Sequence, residues 1–228
     1  MKKLFLGLLL SCSLLVINSV NVFADDTGCP QREVEDLNSI KNDEFEKIVE
    51  TIVEFKTKFP EMSEEEIEIQ IEKEKGISDI WNTLTPSEKK LVIRYPFAAI
   101  DVNKAKNIAI KQTESRFGEN GLGNQSDAFR HGLWNAEMTI LIGKDKAEMF
   151  ATAHEDKDVS GVESDGYTKI EHRNMDLHNN EIGREMGRKN SSLGESEMGN
   201  LIYDEIMKVD SKFMWLHAVS YTHLRAHE

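Results

Sequence analysis

Three stretches of this sequence hold residues whose types and spacing suit acid–base or metal chemistry. Asp127, His131 and Asn135 recur every fourth residue, which places them on one face of a helix, with Arg130 and Trp134 on the adjoining face. His154 and Glu155 follow Ala147, Phe150 and Ala151, so the histidine extends an apolar helical face. Asp176, Asn180, Gly183 and Gly187 share a third face, flanked by Asn179 and Arg184, and the glycines would let a partner helix approach closely.

Polar groups on inward helix faces are costly unless hydrogen bonds, ion pairs or a metal satisfy them. Two neutral imidazoles, His131 and His154, with Asp176 as a third ligand and Asp127 as a fourth or supporting one, are a sufficient set for zinc or a similar divalent ion with a position left for water. In that scheme Glu155 is the base and Arg130 stabilises developing negative charge. Asn135, Asn179, Asn180 and Trp134 are expected to bind substrate or to serve as structural polar groups. The spacing of 23 residues from His131 to His154 matches no compact motif such as H-E-x-x-H, so the set depends on helices converging in space.

Each group also has a purely structural reading. Asp127 and His131 can form an i, i+4 ion pair, or Asp127 can serve as a charge at a helix N-terminus. His154 and Glu155 can bond to a backbone carbonyl and solvent, Asp176, Asn179 and Asn180 can cap and cross-link helices, and Trp134 reads as core. His172 and His178 fall on turns expected to be exposed and are secondary candidates.

The elements that must position these residues read as helices throughout. Val34, Leu37, Ile40, Phe45, Ile48, Ile52 and Phe55 recur at near-helical spacing before Pro60, and Ser63-Glu64-Glu65-Glu66 opens a second helix. Thr85-Pro86-Ser87-Glu88 is a capped start with proline in the first turn, and Pro96 begins a longer helix that Gly118 ends. Further helices are expected over about 126–142, 145–155, 170–189 and 195–208. No alternating pattern of useful length appears, so the expected fold is all-α: a multi-helix globular domain over 80–210 preceded by an acidic helical hairpin within 25–78.

Composition narrows the function classes. The chain has 228 residues and a formal charge of −13, concentrated between residues 25 and 75, where 17 acidic side chains face seven basic ones. No basic stripe is present, which argues against generic nucleic-acid binding. Lys2 and Lys3 precede the apolar run Leu4–Val16, and Val22-Phe23-Ala24 suits a signal peptidase, so residues 1–24 are expected to be an export signal cleaved after Ala24. Asn18, Ser19 and Asn21 interrupt the run too early for a transmembrane anchor, and lipidation at Cys12 would leave a very short apolar region. Cys29 is then the only thiol of the mature chain, which has no internal disulfide. The terminal segment 219–228 resembles a translated sequencing adapter; it is read as non-native, and His223 and His227 are set aside with it.

Leu84-Thr-Pro-Ser-Glu-Lys-Lys-Leu91 with Tyr95-Pro96, Asp127-Ala-Phe-Arg-His131 with Trp134-Asn135, Ala153-His154-Glu155, and Met175-Asp176-x-x-Asn179-Asn180-x-x-Gly183 together resemble an uncharacterised bacterial domain. The resemblance covers residues 80–190. It implies exported or wall-associated proteins of mainly Gram-positive bacteria, at times the C-terminal end of modular or toxin-like chains, and it carries no activity. It points to the same site residues, whose roles rest on their chemistry.

The expectation is therefore a secreted, metal-assisted hydrolase acting on a phosphodiester, lipid or cell-wall bond. Two alternatives stand beside it: a non-enzymatic module whose partner is a cell-envelope component, and a metal-independent acid–base enzyme using His131 and His154. No motif points to an inhibitor protein.

Overall fold

A computed structural model of the chain describes residues 31–74 and 78–217, with side chains defined from Asp43 onward apart from Ser78. The expected signal, Cys12, Cys29 and the terminal segment with His223 and His227 lie outside the described residues. So do the side chains of Val34, Leu37 and Ile40.

The described residues form nine helices and no strand: α1 (Gln31–Lys58), α2 (Glu64–Lys73), α3 (Ser78–Thr83), α4 (Pro86–Arg94), α5 (Pro96–Phe117), α6 (Gln125–Ile142), α7 (Lys144–His154), α8 (Lys169–Lys189) and α9 (Glu195–Ile206). The ends follow local chemistry. Ser63 and Glu66 close a capping box on α2, Thr85 and Glu88 close one on α4, and Thr168 and Glu171 close one on α8. α5 starts at Pro96 and stops where Gly118 takes a left-handed φ of 70°. None of the described helices is long and apolar enough to cross a membrane.

α6 is the central helix. Nearly every side chain from Ser126 to Thr139 is buried, because α5, α7, α8 and α9 all pack against it. Its closest neighbour is α8, and sequence explains the approach: a Cβ on Gly183 would lie 2.2 Å from the Gly132 carbonyl oxygen, and one on Gly187 would lie 2.5 Å from that of Ala136. The glycine face expected of residues 176–187 is thus the surface on which α8 crosses α6. The acidic arm, α1–α3, is solvated on one side only. Phe45, Ile48, Val49, Ile52, Ile67, Ile71 and Trp81 join the same hydrophobic cluster as Phe129, Leu133 and Ile202.

After α9 the chain returns across α6 and α8 as a strap. The Phe213 ring is buried against Gly132, and the Asn179 side chain clamps the Met214 peptide, its amide donating to the carbonyl at 2.8 Å and its oxygen accepting from the N–H at 2.9 Å. Leu216 and His217 donate backbone N–H groups to the Gly123 carbonyl.

Candidate metal centre

His131 leaves α6 toward α8 and is buried, and hydrogen bonds fix its tautomer. Arg184, which can only donate, binds Asn135 Oδ1 at 2.9 Å, so the Asn135 amide nitrogen must be the atom that reaches Asn180 at 2.7 Å. That atom of Asn180 is therefore its oxygen, and it also faces His131 Nδ1 at 3.2 Å. Nδ1 must carry the hydrogen. Burial, with the positive charge of Arg130 nearby, pushes the His131 pKa well below the usual histidine value, so the ring is neutral and its Nε2 presents a lone pair.

That lone pair faces two carboxylate oxygens. Asp127 Oδ1 lies 3.5 Å from Nε2 and Asp176 Oδ1 lies 3.4 Å from it. Asp127 Oδ1 also accepts from Arg130, while Asp127 Oδ2 accepts the Gly123 N–H at 2.7 Å. Asp176 Oδ1 is buried with no hydrogen-bond partner. Three acceptors pointed at one space repel unless a proton or cation sits among them. The ligand atoms of Asp127, His131 and Asp176 lie within 4.8 Å of one another, so this buried group could hold a metal ion.

Charge balance agrees with the geometry. Burial, reinforced by the negative charges of Asp127 and Glu155, raises Asp176 to about 9, and burial also raises Glu155. When ionised, Asp127, Glu155 and Asp176 with the Arg130 guanidinium leave a net charge matching one divalent cation around a neutral imidazole.

The remaining candidates are distributed around this centre. Glu155 Oε1 lies 3.8 Å from His131 Nδ1 and 3.5 Å from the Asn180 amide, on the opposite ring edge from the aspartates. His154 departs from the expected ligand set: its ring centroid is 6.4 Å from that of His131, its Nδ1 faces Glu88 Oε1 at 2.8 Å, and Lys157 donates to its Nε2 at 3.1 Å. Both nitrogens are engaged, because the last turn of α7 lies beside the α4 N-terminus, where Thr85 binds the Ala153 carbonyl and Glu88 faces the ring. Trp134 packs edge-on against His154 at 5.1 Å and donates to the Val102 carbonyl, as core position and groove wall together. Asn135 and Asn180 orient the imidazole, whereas Asn179 holds the strap. His172 and His178 lie within α8 rather than on turns: His172 is buried and faces Asp165 at 2.9 Å, and His178 binds the Lys212 carbonyl on the surface.

Sequence reasoning missed Glu88 in this role, although its capping box was visible. Oε2 accepts the Thr85 N–H while Oε1 takes His154; burial pulls its pKa up, but those bonds outweigh it and hold it below the usual range. Thr85 also donates to the Ala153 carbonyl at 2.7 Å. Asp165, which joins His172 and His217, gave no signal because it sits in a turn, where no helical period relates it to either partner.

Above the centre runs a groove of about 400 Å³ whose wall includes Arg130, His131, Trp134 and His154. Fold and site thus define an all-α domain with a buried carboxylate–imidazole centre beside a largely apolar groove. The chain belongs to the family described as a domain of unknown function, DUF6973, which matches residues 89–210, from within α4 to past α9. No curated protein and no solved structure matches it.

Proposed function

We propose that this chain is an exported, metal-assisted hydrolase whose ion is held by Asp127, His131 and Asp176. The observation that carries the reading is the His131 Nε2 lone pair aimed, with the unpartnered Asp176 Oδ1, at a space that only a cation or a proton can fill. Zinc suits the imidazole, and the two carboxylate oxygens also admit a harder ion such as manganese. Export is supported by Lys2-Lys3 and the apolar run behind them.

A bound divalent ion lowers the pKa of water and polarises an ester or phosphoryl oxygen. The chain supplies the rest. Glu155, whose pKa burial raises, lies across the His131 ring from the ligand atoms, so it takes the proton of the attacking water through one intervening water. The hydroxide oxygen forms a bond to the acyl carbon or phosphorus, the bond to the leaving oxygen breaks, and that oxygen takes the proton back. Arg130 stands at the groove wall as a fixed positive charge for the negative oxygen that develops.

Elemental analysis of the chain purified without a histidine tag tests the reading directly: about one divalent ion per chain is expected, lost in Asp176→Asn. Glu155→Gln should keep the ion and its fold while turnover drops by roughly two to four orders of magnitude. Loss of ion and activity together would place Glu155 among the ligands.

One observation favours a second reading. A single proton on Asp176, retained up to about 9, would point at His131 Nε2 while Asp127 Oδ1 keeps its bond from Arg130, giving a metal-free acid–base centre at His131. Full activity after exhaustive chelation, with no ion found, would select it.

A further inference from the structure

The groove beside the centre has a shape and lining that the hydrolytic reading does not use. It touches α5 from Ala99 to Ile110, three turns of helix, so it runs about 16 Å at 1.5 Å rise per residue. Its volume is about 400 Å³. Phe45 of α1, Leu84, Val92 of α4, Val102 of α5 and Phe150 of α7 wall it, while Arg130 and His131 of α6 face it beside the aspartates. The arm closes one side, since Phe45 and Ile80 come from α1 and α3, outside the family-matched residues.

We propose that the molecule acted on at this centre is a single-chain amphiphile: an alkyl or acyl chain lying along α5, with its carboxylic or phosphoric ester at Arg130 and His131. This rests on the hydrolase reading for the reaction, and on the groove alone for binding. The apolar stretch walled by Phe45, Leu84, Val92, Val102 and Phe150 suits an alkyl chain, and the polar groups near Arg130, His131 and His154 suit its head. About a dozen carbons span it, at roughly 1.3 Å of advance for each 1.5 Å bond. Arg130 at the reacting end, with Lys106 also on the groove wall, matches an anionic or ester head. The chain's net charge of −13 repels an anionic bilayer, so the ligand is a monomer with one chain rather than a membrane face.

Calorimetric titration below the micelle threshold decides the matter, using alkylphosphocholines and free fatty acids of six to fourteen carbons, with phosphocholine and acetate as chainless controls. The expected result is one site whose dissociation constant falls about fourfold per added methylene, levels off near a dozen carbons, and persists in chelator. The controls should not bind. Preference for one series identifies the head as phosphoric or carboxylic. Affinity independent of chain length, or uptake of many molecules per chain without a plateau, would overturn the proposal.

Val102→Trp, which fills the slot, should abolish chain-dependent binding with metal content unchanged. If its helical circular dichroism is lost, Ile80→Trp on the opposite wall makes the same test, and undiminished binding in a folded variant of either kind counts against the groove. Chain-dependent binding by a protein found to hold no metal would remove the hydrolase reading and leave this one standing. Bound metal with no chain dependence would do the reverse.

Discussion

Asp176 carries an unfavourable electrostatic cost in the centre, and its sign can be tested. Its ordinary value of 3.8 is raised to about 9 by burial and by the charges of Asp127 and Glu155. Below about pH 4 folded and unfolded chains both hold the proton, and the site costs nothing. Between there and about 9 the folded chain keeps a proton that the unfolded chain releases, so metal-free stability falls as pH rises, by about 1.4 kcal/mol per unit. Above 9 the effect levels off. Asp176→Asn should remove this slope: in chelator it is more stable than the parent at pH 8 and about equal to it at pH 4, measured by urea unfolding at both values. An equal slope in the two proteins would show that the buried acid is not Asp176. Glu137 obeys the same sign at a distant place: burial and the charge of Glu195 raise it to about 7, and Glu137→Gln should stabilise the chain at pH 8 but not at pH 5. The cluster of Asp127, His131 and Asp176 was legible because helical spacing put each on an inward face. The position of His154 was not, since its partner Glu88 lies 66 residues away and no spacing rule reaches so far.

At the scale of elements, what sets the centre is the separation of α6 and α8. Gly183 lies one turn beyond Asn180, so any residue that pushes the crossing apart there lengthens the His131–Asn180 bond and moves Asp176 from Nε2. Gly183→Ala places a Cβ 2.2 Å from backbone that cannot rotate away. The expected cost is about 1–3 kcal/mol or more, read as a lowered urea midpoint, with metal affinity falling further than the Asn179→Ala variant, which loosens only the strap. Equal metal affinity in Gly183→Ala and the parent would mean that the crossing does not tune the site. The helices themselves were readable where proline, glycine or a capping pair marks an end: α5 between Pro96 and Gly118, and α4 from Thr85, stand where those residues place them. α3 was not readable, because six residues show no period, and the strap was not, because the bonds that hold it to the helices are made to side chains of α8 and to the α5–α6 loop.

Across the whole molecule, charge marks α1–α3 as an acidic arm, and its apolar residues finish the core of the family-matched region. Ile48, Ile52 and Ile71 are fully buried in the cluster that contains Phe129 and Leu133. Lys56 of α1 donates to the Ile93 carbonyl at 2.9 Å, and Arg94 grips Glu64 with two bonds of 2.8 Å. Charge is therefore a property of one face of the arm, and burial a property of the other. If the arm and the remaining helices share one core, they must unfold together, since neither can shed the other without exposing apolar surface. Ile52→Ala removes buried methyl groups at the α1 face and should cost about 2–5 kcal/mol. The loss should appear as one shifted transition, followed in parallel by far-ultraviolet circular dichroism and by near-ultraviolet signals of the tryptophans. Trp81 reports the arm and Trp134 the groove, so single-tryptophan versions that melt at the same urea concentration, before and after Ile52→Ala, are the expected result. Early melting of Trp81 with Trp134 unchanged would divide the molecule into two units and leave the groove without its wall from α1 and α3.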